Sequence, residues 1–129
     1  LRLTPARLRE LGLSTAKTAS VIDIAEKARA RKLQFTKLER MSDEDVIQHL
    51  TQARGVGVWT AQMFLMFALR RPDVFPTGDL GVRNAMMRAY GLETPPTPLE
   101  MVERARPWQP YRSVASWYLW RSLDGPAAH

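Results

Sequence analysis

The fold predicted for this chain depends on the stretch Arg54-Gly55-Val56-Gly57-Val58-Trp59-Thr60-Ala61, in which two glycines one residue apart separate two helical segments. The segment before it begins at Ser42, a favourable N-cap residue, with Asp45 three positions further on, close to a capping box. The segment after it is apolar nearly all round, which predicts a buried helix. The stretch therefore predicts a helix, a Gly-x-Gly turn and a second helix.

The two glycines of this turn allow two interpretations. Glycine adopts positive φ and carries no Cβ, so Gly55 and Gly57 would let the backbone approach a ligand closely. The N–H groups that begin the second helix, in residues 58–60, would then form an anion site that fits a DNA phosphate. The alternative is an ordinary αα-hairpin with a glycine C-cap, and the glycines alone favour this alternative.

Length and charge limit the possible classes of protein. At 129 residues the chain is long enough for one domain with a modest core. Its 19 basic and 13 acidic residues give a net charge of +6, which favours a polyanionic partner. Because there is no cysteine, disulfides, thiolate zinc sites and a cysteine-ligated iron–sulfur cluster are excluded.

Two features of the chain bear on its location and completeness. No apolar run is long enough to span a bilayer, and the start carries no signal peptide. We therefore expect a protein that is not secreted. The chain starts at Leu1 without an initiator Met, so we expect a fragment or a trimmed form.

Helix start and stop signals predict an all-α class with no internal repeat and no strand. Thr4-Pro5 and Thr97-Pro98 are typical of helix starts, and Gly12, Pro72 and Gly91 of helix ends. The apolar faces of the first two helices are expected to consist of Leu3, Leu8, Leu11, Ala19, Ile22 and Ala25. The predicted helices cover residues 5–11, 14–31, 42–53, 58–71, 80–90, 97–105 and 111–123. Residues 1–123 would form the domain, and 124–129 a disordered tail.

Asp79 is the first candidate for chemistry, and it also has a purely structural interpretation. It comes directly before the helix predicted from Leu80, where a carboxylate most often serves as an N-cap. Alternatively, the preceding loop, residues 73–78, could hold it as a reactive group. An ionised carboxylate beside a developing positive charge would stabilise that charge.

Aromatic and sulfur-containing side chains could form a slot for a flat base. Trp59 begins the second hairpin helix, Met63 follows one turn later, and Trp120 lies on the last helix. Side chains of this kind are more often core residues. In a pocket, their rings would attract a positively charged base by about 0.5–2 kcal/mol per good contact.

Two further residue types, arginine and histidine, are candidates for binding. Arg112 could bind a phosphate or form a salt bridge with a carboxylate, and the sequence favours neither. His49 and His129 have no second ligand at metal-site spacing, so no metal catalysis is predicted.

Three motifs in order carry a specific resemblance. They are the stretch 54–61, Asp73-Val74-Phe75-Pro76-Thr77-Gly78-Asp79-Leu80-Gly81, and Trp108-Gln109-Pro110-Tyr111-Arg112-Ser113. Together they resemble the helix–hairpin–helix (HhH-GPD) DNA glycosylase superfamily, and most of all its AlkA-like 3-methyladenine DNA glycosylase II branch. The resemblance covers nearly all of the chain except the tail.

The resemblance implies a role for each candidate residue. Asp79 matches the catalytic aspartate, and Trp59 and Trp120 match positions that line the base pocket. Met63 falls where that branch often has an aromatic residue, which would reshape the pocket. The positions implied for DNA phosphate binding are Gly55, Val56, Gly57, Thr60 and Arg112. A monovalent or divalent cation at the hairpin is compatible with this pattern, and an iron–sulfur cluster is not implied.

The implied activity is hydrolysis of the N-glycosidic bond of alkylated purines, of the 3-methyladenine and 7-methylguanine class, in double-stranded DNA. Lyase-competent relatives have a lysine at the position of Trp59, so a monofunctional glycosylase is expected. Two alternatives stay open, a non-catalytic hairpin module that only binds DNA and a glycosylase for deaminated or mismatched bases. A protein-interaction bundle is a third.

Family domains also carry helices before the point where this chain begins, and the residue that wedges into the duplex usually comes from them. We therefore expect a domain that lacks its N-terminal helices. An N-terminal segment or a second chain would complete it. Such a domain would expose apolar faces of its first helices.

Overall fold

Seven α-helices form the chain in the computed structural model, which describes residues 3–125. They are α1 (Pro5–Glu10), α2 (Thr15–Arg29), α3 (Asp43–Leu50), α4 (Val58–Phe67), α5 (Leu80–Ala89), α6 (Pro98–Ala105) and α7 (Arg112–Ser122). Two 3₁₀ segments lie between them, Phe35–Arg40 between α2 and α3, and Arg106–Trp108 between α6 and α7. No strand occurs in residues 3–125, so the all-α prediction is confirmed.

Four of the helix starts have a hydroxyl side chain as their N-cap. The hydroxyls of Thr4, Ser14, Ser42 and Thr97 each accept a hydrogen bond from the backbone N–H three residues on. At Thr97 the capping box is complete, because the Glu100 carboxylate also accepts from the Thr97 N–H. Such caps satisfy N–H groups that lack a partner within the helix, which explains why the predicted starts agree with the structure.

The chain divides into two compact units, one up to Ala61 and one from Gln62 onwards. In the first unit α1 packs on α2. Its buried apolar residues are Leu8, Leu33, Leu38, Val46, Leu50, Ala53 and Ala61. In the second unit α5 packs on α7. A core cluster there consists of Phe75, Val82, Met86, Met101 and Ala105, with Trp108, Leu119 and Trp120 packed against it.

The prediction that α4 is a buried helix is wrong. Leu65 and Met66 are buried, but Val58, Trp59 and Phe67 are 55%, 48% and 61% exposed. The all-round apolar sequence could not say which side would be covered, because burial depends on what packs against each face. The helix also ends at Phe67 rather than near residue 71.

The apolar faces predicted for the first two helices are only partly buried. Leu8 is buried, whereas Leu3 and Leu11 are exposed. In α2 the buried side chain is Thr18, and the predicted stripe of alanine and isoleucine is half-buried. No helix within residues 3–125 is both long and apolar enough to cross a membrane. The tail prediction for residues 126–129, and His129 with it, lies outside the described residues.

Candidate functional site

The hairpin turn lies between α3 and α4, as the sequence predicted. Gly55 has a φ of +78°, a left-handed conformation that favours glycine. The Val56 N–H donates to the Ala53 carbonyl at 3.2 Å, and the Ala61 N–H donates to the Gly57 carbonyl at 3.1 Å. Gly57 therefore stands at the N-cap position, directly before α4 begins at Val58.

The first turn of α4 is exposed, as a phosphate site requires. The residues from Gly57 to Thr60 are all exposed, and the N–H groups of a helix's first turn have no carbonyl partner within that helix. A Cβ built on Gly57 would meet nothing within 4 Å. This glycine therefore leaves open space where a ligand could approach the backbone.

Asp79 caps α5 and also bonds to a second helix. Its Oδ1 accepts hydrogen bonds from the Val82 N–H and from the Trp120 indole N–H, both at 2.8 Å. The residue is only 9% exposed. The sequence offered a cap or a reactive carboxylate as alternatives, and the geometry is compatible with both.

Two neighbours shape the space around Asp79 and Trp120. The Phe67 ring, on α4, stacks on the Trp120 ring with centroids 5.9 Å apart and planes 24° apart. Gly81 lies on α5. A Cβ added at this position would be 3.1 Å from both Asp79 Oδ1 and Trp120 Cδ1. A larger residue at position 81 would push these two side chains apart.

The N-terminus of α7 holds the start of the loop that ends at Asp79. The Arg112 guanidinium donates from Nε and Nη2 to both carboxylate oxygens of Asp73, at 2.8 and 3.0 Å. The Ser113 hydroxyl donates to the Arg71 carbonyl at 2.6 Å and accepts from the Val74 N–H at 2.8 Å. α7 thus bonds to this loop near its start through Arg112 and Ser113, and at its end through Trp120.

The Asp73–Arg112 pair shifts the pKa of both partners in the stabilising direction. The side-chain hydrogen bonds from Arg112 lower the pKa of Asp73 below its ordinary 3.8, although burial opposes the shift. The same bonds raise the pKa of Arg112 above its ordinary value. Of the two roles that the sequence left open for Arg112, the structure therefore shows the salt bridge to a carboxylate. A role of Arg112 in phosphate binding stays a prediction, since its bonds to Asp73 use Nε and Nη2 only.

The predicted base pocket is only partly defined by these contacts. Trp120 lies beside Asp79, as expected. Trp59 belongs to the first compact unit, and its place beside Asp79 stays a prediction. Met63 lies one turn before Phe67 on α4 and is half-buried, and its pocket role also stays a prediction.

Four residues of this region had no role in the sequence-based prediction. Phe67 stood among many apolar residues of α4, although its spacing of four from Met63 places both on one face. Gly81, Asp73 and Ser113 all lie within the quoted motifs. Each of the three has a partner 39 or more positions away along the chain, Trp120 for Gly81, Arg112 for Asp73 and Val74 for Ser113, so only the fold could reveal their roles.

Comparisons with known proteins agree with this architecture. A family model described as the HhH-GPD superfamily of base excision DNA repair proteins matches residues 1–110. DNA-3-methyladenine glycosylase 1 of Schizosaccharomyces pombe is 39% identical over 117 residues, covering 89% of this chain and 51% of that protein.

Two solved structures are also similar to the chain. A DNA-3-methyladenine glycosidase of Bacillus halodurans superposes with a TM-score of 0.86 at 34% identity, covering 96% of this chain and 57% of that one. The Schizosaccharomyces pombe 3-methyladenine DNA glycosylase, solved in complex with abasic DNA, gives 0.80 at 33% identity, covering 95% and 60%. The chain spans about half the length of the curated relatives it matches. By its matching motifs, its helical fold and its family match, this chain belongs to the HhH-GPD superfamily of base excision DNA repair proteins.

Proposed function

We propose that this chain supplies the hairpin and the acidic residue of a monofunctional DNA glycosylase that releases alkylated purines from double-stranded DNA. The observation that carries the proposal is the environment of Asp79. This carboxylate is 9% exposed and is bonded both to its own helix and to an indole 41 positions away. A residue needed only as a helix cap has no need of the second bond. The names of the similar proteins supply the substrate class.

The hairpin would hold the duplex through a phosphate of the DNA backbone. A phosphate oxygen at the first turn of α4 would receive backbone N–H donors and the positive end of the helix dipole. Such a contact fixes the position of the DNA without selecting a base. Base selection must therefore come from the pocket.

The pocket would receive a base that has left the duplex. Extrusion costs a few kcal/mol and exposes both faces of the base to stacking. Alkylation at a ring nitrogen gives a purine a positive charge, so the Trp120 face would attract it by cation–π interaction. The charge also makes the base a good leaving group, which reduces the need for a general acid.

Asp79 would act on the sugar rather than on the base. As the glycosidic bond breaks, the deoxyribose becomes oxocarbenium-like and positively charged. An ionised carboxylate held in fixed orientation stabilises that charge without having to reorganise, or orients the attacking water. The bonds from Val82 and Trp120 would keep the Asp79 carboxylate oriented. We place the protein where its DNA lies, in the cytoplasm at the nucleoid or in the nucleus.

Release of 7-methylguanine from a methylated duplex by wild type and Asp79→Asn tests this proposal. Asparagine keeps a side-chain oxygen for the Val82 and Trp120 N–H groups, so we expect a folded variant. Loss of the charge should lower the rate by about 10²–10³. Asp45→Asn is the matched control, because it removes an equal charge from an exposed position on α3 and should release base like wild type.

Other results would contradict the role of Asp79 or identify a different function. Equal release by wild type and Asp79→Asn removes Asp79 from the mechanism. Salt-dependent duplex binding with no base release by wild type identifies a non-catalytic hairpin module. Release from uracil-containing or mismatched duplexes in preference to methylated ones identifies the other glycosylase class.

A further inference from the structure

The glycine turn of the hairpin is bonded to a helix that the proposed mechanism does not use. Asp23, on α2, accepts a hydrogen bond through Oδ2 from the Arg54 backbone N–H at 2.6 Å, across 31 positions of sequence. Its other oxygen, Oδ1, accepts from the Lys27 ammonium one turn further along α2. Both Asp23 oxygens therefore have a partner, and one partner is the backbone of the turn itself.

A second contact places the same helix against the next residue of the turn. A Cβ on Gly55 would lie 2.2 Å from Ser20 Oγ, so α2 and the turn are in direct contact there. Ser20 Oγ donates to the Ala16 carbonyl at 3.0 Å, which fixes it within α2. Ser20 and Asp23 lie three positions apart and so share one face of the helix.

We infer that Asp23 is a positioning residue for the phosphate site, holding the hairpin turn in the form that presents the first turn of α4 to DNA. The inference rests on the proposed hairpin–phosphate contact and names what maintains it. Arg54 and Gly55 immediately precede the stretch from Val56 to Thr60 that would face the phosphate. Fixing their backbone to α2 therefore fixes the direction in which the N–H groups of α4 point.

Charge repulsion and positioning predict opposite changes in DNA affinity when Asp23 is removed. A carboxylate near a phosphate site repels DNA, so a simple charge argument predicts tighter binding when Asp23 is removed. The Lys27 ammonium offsets this repulsion. The Arg54 N–H and Lys27 together lower the pKa of Asp23 from its ordinary 3.8, so the acceptor stays ionised at neutral pH. Positioning predicts the opposite result, weaker binding on removal.

The decisive comparison is between Asp23→Ala and Glu26→Ala in the full chain. Both changes remove one negative charge from α2, but Glu26 is exposed and lies one turn after Asp23. The probe is a duplex with a tetrahydrofuran abasic-site analogue, and affinity is measured by fluorescence anisotropy at fixed salt. We expect Asp23→Ala to bind about fivefold more weakly, and Glu26→Ala to bind equally or more tightly. Asp23→Asn, which keeps an acceptor oxygen for Arg54, should fall between wild type and Asp23→Ala.

Two further measurements separate positioning from general destabilisation. Amide hydrogen exchange at Arg54 should become faster in Asp23→Ala and be largely restored in Asp23→Asn. In base-release kinetics Asp23→Ala should raise KM for the methylated duplex and leave kcat unchanged. Should Asp23→Ala prove unfolded, Asp23→Asn with the exchange measurement provides the test.

The outcomes distinguish failure of this inference from failure of the proposed function. Binding by Asp23→Ala that equals or exceeds that of wild type overturns the positioning role. So does unchanged exchange at Arg54. If wild type itself shows no salt-dependent binding to the duplex, the hairpin–phosphate contact fails and the inference fails with it. If wild type binds but releases no base, only the catalytic proposal fails.

Discussion

Gly81 lies so close to Asp79 and Trp120 that a side chain at this position would press on both. Its missing side chain is required by packing rather than by backbone conformation, since an added Cβ would lie 3.1 Å from atoms of both neighbours. A contact of that length forces one of the two to shift by a few tenths of an ångström. Because the 2.8 Å bond between Asp79 and Trp120 joins these same two side chains, it should be the first interaction to weaken.

Gly81→Ala is therefore expected to lower base release more than it lowers stability. Alanine is favourable within a helix, so the thermal midpoint should change little, while displacement of Asp79 should reduce the release rate roughly tenfold or more. Gly78→Ala, in the loop directly before α5, is the matched control, because a Cβ at Gly78 would meet nothing within 4 Å. Equal rates for the two variants would contradict the proposed packing role.

The two hairpin glycines should respond differently to the same substitution. Gly55→Ala introduces a positive-φ penalty and a Cβ 2.2 Å from Ser20 Oγ, so we expect a loss of stability of about 1–3 kcal/mol. Gly57→Ala introduces no clash within the chain and should leave the unfolding free energy within about 0.5 kcal/mol of wild type. Its expected effect is weaker duplex binding, because the new methyl group would occupy the space left for the phosphate.

Denaturant unfolding and duplex anisotropy, measured on both variants, separate these effects. A Gly57→Ala protein that binds the duplex like wild type would contradict the assignment of this turn to phosphate binding.

At the scale of elements, α7 is the helix that fixes both ends of the loop that leads to Asp79, residues 73–78. Arg112 and Ser113 bond to its first residues, and Trp120 bonds to Asp79 itself. Between these points, Phe75 packs into the core cluster of the second unit. The loop is therefore held at three places, its start, its middle and its end. A loop fixed in this way can keep a carboxylate oriented without further adjustment.

The Asp73–Arg112 pair should make stability depend on pH only in the acid range. The folded pKa of Asp73 lies below its unfolded value of 3.8, so the stabilisation is fully present above about pH 4. It is lost as pH falls through the lower folded pKa. Unfolding free energy measured between about pH 2 and 7 should therefore decline in acid, and Asp73→Asn should decline less.

At neutral pH Asp73→Asn should lower the free energy of unfolding by about 1–2 kcal/mol, because it weakens a bidentate salt bridge that is largely shielded from solvent. Glu103→Gln is the control, since its partner Arg106 and Glu103 are both exposed and such a pair contributes about 0–1 kcal/mol. An equal cost for the two variants, or an unchanged acid dependence in Asp73→Asn, would show that the Asp73–Arg112 pair is not a stabilising anchor.

At the scale of the whole molecule, the net charge of +6 should govern how tightly the chain binds DNA. Each neutralised phosphate contributes a slope of about −0.9 to the dependence of log K on log salt. We expect anisotropy titrations with an undamaged duplex to give a clearly negative slope between about 50 and 200 mM NaCl. Affinity that does not change with salt would favour the protein-interaction bundle over a DNA-binding protein.

The sequence by itself determined the helical class, most helix starts, the hairpin turn and the position of Asp79 before α5. Each of these depends on interactions within a few residues, such as the Ser42 hydroxyl and the Asp45 N–H, or on the freedom of Gly55 to adopt positive φ. Local chemistry of this kind can be predicted from neighbouring residues alone.

Only the tertiary structure decided which side chains meet. The bonds of Trp120 to Asp79, Arg112 to Asp73 and Asp23 to Arg54 join positions 41, 39 and 31 residues apart. The exposed face of α4 was likewise set by what packs against it and not by its own apolar sequence. Contacts between distant residues form only after the helices pack, and that packing brought an indole to Asp79 and a carboxylate to the hairpin turn.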